Sequence, residues 1–189
     1  MSTDAASAQA NHGSYTPVWS PDGTRIAFTS DATNLVVGDT NAKSDVFVKT
    51  LAGGAIQRVS TDAAGGQAQG HSDSAAWSPD SSRLAFESRA SNLVPGDTND
   101  TRDVFVKTLA TAAIQRVSTD AAGAQASDSS DADRYGPSTG PAWSPDGTRI
   151  AFSSWASNLV PGDNNDRLDV FVKTLATAAI QRVSTDAAG

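Results

Sequence analysis

The stretch Trp-Ser-Pro-Asp-Gly-Thr-Arg-Ile-Ala-Phe, residues 143–152, decides the fold because it contains a turn and the strand that follows it. Pro145 presets its own φ angle and Gly147 accepts a positive one, so Ser-Pro-Asp-Gly predicts a tight turn. Ile150 and Phe152 then recur with the two-residue period of a strand. The short apolar segment ahead of the turn predicts a second strand that pairs with the first.

This unit occurs three times. Trp-Ser-Pro-Asp begins at residues 19, 77 and 143, which are 58 and then 66 residues apart, and Asp-Val-Phe-Val-Lys-Thr-Leu begins at residues 45, 103 and 169. The eight additional residues lie between 118 and 143 in a polar stretch with Gly and Pro, which predicts a surface insertion. We therefore divide the chain into three repeats, residues 1–59, 60–117 and 118–189.

Each repeat contains four short strand candidates: the Trp strand, the Ile/Leu-Ala-Phe strand, the Val-Phe-Val strand and the Ile-Gln-Arg-Val strand. β-Branched and aromatic residues favour the pleated state, and no segment has a helical period with caps. A four-stranded antiparallel unit that is repeated in tandem is typical of a β-propeller blade. The sequence thus predicts an all-β protein with three propeller blades.

The segments PVWSPDGTRIAFTS, AAWSPDSSRLAFES and PAWSPDGTRIAFSS, each followed by Asp-Val-Phe-Val, resemble the repeats of TolB-like β-propellers. The resemblance covers nearly the whole chain. The middle copy departs from it at Ser81-Ser82, and the long Asn-Leu-Val-Pro/Val-Gly-Asp loop is absent from the shortest repeats of the family. The resemblance implies a non-catalytic domain of periplasmic or extracellular origin that binds other proteins or gates an attached peptidase.

Three blades do not close a ring, because propellers have about 4–8 blades. Open blade faces rich in Val, Ile, Phe and Trp are a liability in a monomer. The simplest closure is a homodimer that forms a six-bladed ring with two-fold symmetry, so the predicted partner is the protein itself. A nine-bladed trimer and an arrangement that is not a propeller are the alternatives.

Composition excludes several classes of function. The formal net charge is −7, which argues against nucleic acid or an anionic membrane as the partner. The chain has no Cys, and hence no disulfide framework and no thiolate site. It has no apolar run of about 18 residues. The N-terminus has no basic stretch followed by an apolar core, so we expect no signal peptide in this sequence.

One repeated loop carries oxygen ligands at fixed spacing. It reads GDTNAKSD, GDTNDTRD and GDNNDRLD in the three copies. Carboxylate and amide oxygens at its second, fourth and eighth residues suit a hard cation such as Ca²⁺. The alternative is a network that shapes the turn, since Asn and Asp bond their own backbone. The predicted ligands are Asp39, Asn41, Asp45, Asp97, Asn99, Asp103, Asp163, Asn165 and Asp169.

Other recurring residues have structural interpretations. One Trp per repeat predicts packing between blades, with a ligand-binding channel as the alternative. The Arg that follows each turn (Arg25, Arg83 and Arg149) predicts a local pair with the Asp of that turn. The Arg of each fourth strand (Arg58, Arg116 and Arg182) is interpreted as an outer-edge charge that discourages aggregation.

Catalysis has little support in the sequence. There is no Gly-x-Ser-x-Gly elbow and no Gly-rich phosphate loop with Lys. We therefore expect a non-catalytic binding or scaffold module that assembles from half-rings. The near-identical second and third copies are also typical of an engineered or excised repeat fragment. The alternatives are a Ca²⁺-dependent module that recognises carbohydrate or peptide, and a hydrolase or lyase with a site in the central channel.

Overall fold

The computed structural model describes residues 2–128, 130 and 140–185. It contains three four-stranded antiparallel sheets, in which neighbouring strands are consecutive in the chain. Sheet 1 comprises β1 (Ser14–Trp19), β2 (Arg25–Ser30), β3 (Asp45–Thr50) and β4 (Ile56–Arg58). Sheet 2 comprises β5 (Ser72–Trp77), β6 (Arg83–Ser88), β7 (Asp103–Thr108) and β8 (Ile114–Arg116). Sheet 3 comprises β9 (Ala142–Trp143), β10 (Arg149–Ser154), β11 (Asp169–Thr174) and β12 (Ile180–Arg182).

The prediction of four strands per repeat is confirmed. One sheet lies within each of the ranges 1–59, 60–117 and 118–189, although the assignment of whole ranges to blades stays a prediction. Most of the predicted insertion, residues 131–139, lies outside the described residues. In the part of the chain that is described, no helix has the length and apolarity needed to span a membrane.

The three sheets have the same register. A Phe of the second strand lies opposite a Phe of the third, as in Phe86 and Phe105 of sheet 2. Their rings stack with centroids 5.9 Å apart, and the equivalent pairs in the other sheets are 5.9 and 6.0 Å apart. Stacked pairs of this kind add to the stabilisation from apolar burial. The repeated Phe residues therefore form the centre of each sheet.

The predicted tight turn also recurs. Gly23 and Gly147 have φ angles of 69° and 68°, and Ser81 takes the same conformation at 59° in the middle copy. The backbone N–H of the fourth turn residue in each copy, such as Ser81, donates to the carbonyl of the Ser that follows Trp. The Ser-for-Gly departure is thus accommodated at the cost of a left-handed residue that is not glycine.

The core lies between the sheets. One apolar cluster joins Ala27, Val46, Val48 and Val59 of sheet 1 to Trp77, Leu84, Phe86 and Phe105 of sheet 2. A second cluster joins Ala85, Val104, Val106 and Val117 of sheet 2 to Ile150, Phe152, Leu159 and Phe171 of sheet 3. In both clusters the earlier sheet contributes Ala and Val, and the later sheet contributes the larger side chains of Trp, Phe, Leu or Ile. The two junctions therefore use the same pair of complementary faces.

Candidate functional site at the junctions between sheets

An arginine and a tryptophan meet at each junction. The indole Nε1–H of Trp77 donates to Val18 O at 3.2 Å, and Arg25 of sheet 1 lies 4.8 Å from the centroid of that Trp ring. At the next junction Trp143 donates to Ala76 O at 3.0 Å, and its ring lies 4.5 Å from the Arg83 guanidinium. The repeated Trp residues pack between sheets here, as one of the two sequence interpretations predicted.

The same arginines also bind the turn of the following sheet. Arg25 Nη2 donates to Ser81 O at 2.6 Å, and Arg83 Nη2 donates to Gly147 O at 2.7 Å. The predicted local pair with the turn Asp exists as well, at 3.3 Å between Arg25 and Asp22. The sequence prediction found that pair but missed the contacts that cross the junction. Arg25 therefore joins two sheets as well as bonding to its own turn, and Arg83 joins the next pair of sheets.

A Ser-Thr-Asp sequence links consecutive sheets, and we call it the clip. In the clip at residues 60–62, the Ser60 hydroxyl donates to Asp45 Oδ1 of sheet 1. The Thr61 and Asp62 carbonyls each accept from Lys107 Nζ of sheet 2 at 2.7 Å. The clip at 118–120 bonds Asp103 and Lys173 in the same way. The Ser of each of these two clips thus bonds to the preceding sheet, and the Thr and Asp bond to the following sheet.

The nine residues predicted as Ca²⁺ ligands form three equivalent clusters. In sheet 1, Asn41 Nδ2 donates to Asp45 Oδ2 at 2.9 Å, and Asn41 Oδ1 accepts from Lys43 N at 3.0 Å. The Arg58 Nη1 atom lies 3.1 Å from Asp39 Oδ1 and 3.5 Å from Asp45 Oδ2. The other six predicted ligands are arranged around the arginines of sheets 2 and 3, namely Asp97, Asn99 and Asp103 near Arg116, and Asp163, Asn165 and Asp169 near Arg182.

The position of these arginines corrects one sequence interpretation. Arg58, Arg116 and Arg182 were interpreted as outer-edge charges that discourage aggregation. Their strands do lie at the edge of each sheet, but the side chains of Arg58 and Arg116 are only about a tenth exposed. They turn inward toward two carboxylates, one in the preceding loop and one on the first residue of the third strand, and these carboxylates need a neighbouring positive charge. A guanidinium supplies that charge in each sheet. Among the described residues, no group of three or more His, Cys, Asp or Glu is arranged to hold a metal. Ca²⁺ binding stays a prediction.

Burial shifts the protonation of these carboxyl groups. Desolvation raises the pKa of Asp39, Asp45, Asp97 and Asp163, and it raises the pKa of Asp103 to about 6. The bonds from Ser118 and Arg116 oppose the shift of Asp103 without cancelling it. In contrast, hydrogen bonds from neighbouring Ser and Thr lower the pKa of the exposed turn residues, to about 2 for Asp80 and Asp146. Keeping these carboxyl groups ionised in the loop clusters therefore costs free energy of desolvation.

A groove opens at the outer end of each junction. The groove between sheets 2 and 3 has a volume of about 530 Å³, and the one between sheets 1 and 2 has about 480 Å³. Equivalent residues of the two copies line both grooves, including Arg83, Thr108 and Ile114 in the first. Sheet 3 carries half of such a groove, with Arg149 and Ile180 on its wall and no following sheet among the described residues.

Two clusters in the described part of the chain break the repeat. Glu87, the only glutamate in the sequence, lies 3.1 Å from Arg102 Nη1, which also bonds Asp73 at 2.7 Å. Near the junction of sheets 1 and 2, the Ser44 hydroxyl donates to Asp31 Oδ1 at 2.6 Å. The only signal for either cluster in the sequence was that its residues differ between copies.

The second cluster resembles a catalytic triad in composition but not in geometry. His71 Nδ1 accepts the backbone N–H of Ser44 at 3.1 Å, with the Ser44 hydroxyl at the same distance. In a triad the histidine lies between serine and carboxylate and takes the serine proton. Here the hydroxyl lies between Asp31 and His71 and directs its proton to the carboxylate. The arrangement ties the Ser44 loop to His71, the residue that precedes β5 of sheet 2.

Solved structures with the same arrangement of sheets are propeller proteins. TolB from Acinetobacter baumannii matches with a TM-score of 0.56 and 16% identity, over 93% of this chain and 33% of TolB. A puromycin-hydrolysing peptidase of Mycobacterium tuberculosis matches with a TM-score of 0.58 and 15% identity, over 95% of this chain and 23% of the peptidase. The β-propeller domain of the Trilobed protease from Pyrococcus furiosus matches with a TM-score of 0.51 and 10% identity, over 90% of this chain and 41% of that domain's chain.

No protein-family model and no curated protein matches the chain. The chain spans about a third of the length of that TolB and less of the peptidase. At these identities the likeness concerns the fold alone. The three four-stranded antiparallel sheets of this chain are blades of the β-propeller type.

Proposed function

We propose that this chain is a non-catalytic propeller module that binds a second copy of itself through its two end faces. Two chains of three blades give six, which lies within the common range of about 4–8 blades. The alternative trimer would have nine. A closed ring would present the blade loops as a scaffold for binding other proteins. The observation that carries the proposal is that the end faces reproduce the two halves of the internal junctions.

The open face of sheet 1 is the Trp half of a junction. Trp19 is 61% exposed, whereas its counterpart Trp77 is 8% exposed between sheets 1 and 2. Leu51 is also half exposed, although its counterparts Leu109 and Leu175 pack against the inter-sheet clusters. In the part of the chain that the structure describes, no arginine lies over the Trp19 ring. Within the described part of the chain, no preceding sheet packs against this face.

The open face of sheet 3 is the Val half of a junction. Val170 and Val183 are 38% and 43% exposed, whereas their counterparts Val104 and Val117 are 0% and 1% exposed. Arg149, the counterpart of Arg25 and Arg83, has no Trp ring beside it among the described residues. Its side chain is about half exposed, and its guanidinium lies 4.0 Å from Asp146. Among the described residues, no following sheet packs against this face.

The two open faces complement each other in detail. By analogy with the internal junctions, Arg149 of one copy would stack on Trp19 of the other and donate to the Gly23 carbonyl. The Trp19 indole would donate to the Ala142 carbonyl. Burying a large apolar side chain contributes about 1.5–3 kcal/mol. Burial of Trp19, Leu51, Val170 and Val183 would therefore be enough to hold each seam together. Two-fold symmetry forms two identical seams in one dimer.

The module is proposed to be non-catalytic because the Ser44 cluster lacks triad geometry. A hydrolase or lyase would instead turn over substrate. Incubation of the purified chain with ester, peptide and oligogalacturonate substrates, with Ser44→Ala as the matched control, separates the two. Turnover by the wild-type chain that Ser44→Ala abolishes would replace this part of the proposal.

The mass in solution tests the assembly. Sedimentation velocity should show a species of about twice 19.4 kDa at micromolar concentration. Trp19→Ala and Arg149→Ala should each shift it toward the monomer. Val37→Ala is the control, because Val37 is fully exposed. Its counterparts Pro95 in the second repeat and Pro161 in the third are also exposed, so this position does not pack at a junction. A wild-type mass of 19.4 kDa at every concentration would overturn the proposal.

A further inference from the structure

The clip occurs four times, but three sheets have only two internal junctions. The clips at Ser60 and Ser118 each bond the sheet on either side. The two outer clips, which begin at Ser2 and Ser184, each make the bonds to one sheet. Among the described residues, the clip that begins at Ser2 bonds sheet 1, and the clip that begins at Ser184 bonds sheet 3 through that serine. If sheet 3 of one copy meets sheet 1 of another, that seam has two clips for one position.

The N-terminal clip already has the conformation of the internal clips. The Ser2 carbonyl accepts from Ala10 N at 2.9 Å, as the Ser60 carbonyl accepts from Ala68 N at 3.0 Å. Thr3 forms an isolated bridge with Gln9 that matches the bridge between Thr61 and Gln67. The Ser2 hydroxyl therefore sits where an internal clip presents its hydroxyl to the Asp of a preceding sheet.

Several bonds hold this clip on sheet 1. Lys49 Nζ donates to the Thr3 carbonyl at 2.7 Å, to the Thr3 hydroxyl at 2.8 Å and to the Asp4 carbonyl at 2.8 Å. Asn34 Nδ2 donates to the Gln9 carbonyl at 2.9 Å. Releasing the clip would leave the half-buried Lys49 amine without these acceptors, at the cost of an unsatisfied charged donor. The N-terminal clip is thus the one that stays.

The C-terminal clip is held by its serine. The Ser184 hydroxyl donates to Asp169 Oδ1 and accepts from Val170 N at 3.0 Å. Ser184 and Thr185 are exposed, and among the described residues no lysine bonds the Thr185 carbonyl. In the free chain this serine gives a buried carboxylate its hydroxyl donor. It does so at the position that Ser2 of a second copy would need.

We propose that Ser184 and Thr185 form an autoinhibitory cap on the end face of sheet 3, which must leave before the ring closes. The N-terminal clip of the second copy then replaces it, and its Ser2 hydroxyl takes over the bond to Asp169. The exchange conserves the hydrogen bonds, because one serine hydroxyl replaces another. The inference rests on the proposed self-assembly and adds that the last clip competes with it.

Point substitutions at the two serines test the cap. Ser184→Ala removes the competing hydroxyl at both seams of the dimer, so the dissociation constant from sedimentation equilibrium should fall about a hundredfold, the value of two hydrogen bonds to charged groups. Ser2→Ala should raise it by a similar factor. Ser118→Ala is the matched control, since it lies at an internal junction and should lower stability without changing the dissociation constant.

A truncation that ends at Val183 is the second variant, and it should also dimerise more tightly than the full chain. Two failures can be told apart. If neither the full chain nor the truncated chain dimerises, the self-assembly itself is wrong. If the full chain dimerises and Ser184→Ala and the truncation leave the dissociation constant unchanged or raised, assembly stands and the cap is overturned.

Discussion

The Arg83 guanidinium lies 4.5 Å from the ring centroid of Trp143, on the opposite side of the junction between sheets 2 and 3. The Arg25 guanidinium has the same relationship to Trp77 across the previous junction. A cation over an indole contributes about 0.5–2 kcal/mol, more as the pair is desolvated. Because both residues recur in every copy, the contact that joins the inner sheets is also available at the two ends of the chain.

Removal of an inner Trp should destabilise the fold. Trp77→Ala leaves a cavity between sheets 1 and 2, and it deletes both the hydrogen bond to Val18 O and the ring beneath Arg25. We expect the free energy of unfolding in urea to fall by about 3–5 kcal/mol. The measurement is made on dilute protein, so that self-association does not contribute.

The matched control is Trp19→Ala. Trp19 occupies the same position in the repeat but is mostly exposed, so its loss should change the stability of the monomer by less than about 0.5 kcal/mol. Comparing Trp77→Ala with Trp19→Ala thus separates the effect of packing at a junction from the β-strand propensity of Trp, because both residues occupy the same position of the repeat. Equal losses in the two variants would contradict the interpretation of Trp as a junction residue.

The buried arginine of the fourth strand should be equally important. Arg116→Met keeps the apolar stem but leaves Asp97 and Asp103 without the cation that lies 3.0 and 3.6 Å from them. Breaking a buried ion pair from one side costs about 3–5 kcal/mol. Arg167→Met, at an exposed position of the same kind of loop, is the control and should change little. A small loss for Arg116→Met in urea unfolding would refute the role of this network.

The strands and turns could be predicted from sequence because their causes are local. Alternation in Arg-Ile-Ala-Phe, the β-branched Val-Phe-Val segments and the Pro-Asp-Gly turn act within a few residues, and three copies repeat the signal. The predicted grouping of Asp39, Asn41 and Asp45 was also local, since a single loop carries them. The structure does bring these residues together.

The contacts that cross between elements could not be predicted in the same way. Arg58 enters the Asp39 cluster from the fourth strand, and Arg25 reaches Trp77 in the next sheet. Nothing near either arginine in the sequence indicates its partner, so an exposed edge charge was the natural interpretation for Arg58. Constant spacing between copies was the available signal, because it shows that a residue matters to the repeat without showing what it contacts.

A titration with Ca²⁺ decides between the two interpretations of the loop clusters. We expect no change in the melting temperature of chelator-treated protein and no binding heat by calorimetry, because a guanidinium lies between the carboxylates. Mg²⁺ at equal ionic strength is the control for screening. A Ca²⁺-specific rise in melting temperature that Asp39→Asn reduces would instead establish the predicted calcium site.

Stability should fall as the pH rises through the titration of Asp103. Burial raises the pKa of this carboxyl from 3.8 to about 6, so between these values the folded chain binds the proton more tightly than the unfolded chain. Stability from this group is complete below pH 3.8 and is lost as the pH approaches 6. The exposed Asp80 and Asp146 act outside this window, because their lowered pKa values remove stability only as the pH falls toward 2.

Asp103→Asn should therefore flatten the dependence of the unfolding free energy on pH between about 4 and 6, measured by urea unfolding at each pH. Because Asn cannot ionise, the unfolding free energy of the variant relative to that of the wild type should be higher at pH 7 than at pH 4. Some slope should remain, because burial raises the pKa of Asp45 and Asp97 in the same direction. Asp80→Asn, which removes a carboxyl whose pKa is lowered to about 2, should keep most of the wild-type slope in this window. An Asp103→Asn profile parallel to that of the wild type would show that Asp103 does not hold its proton in this window.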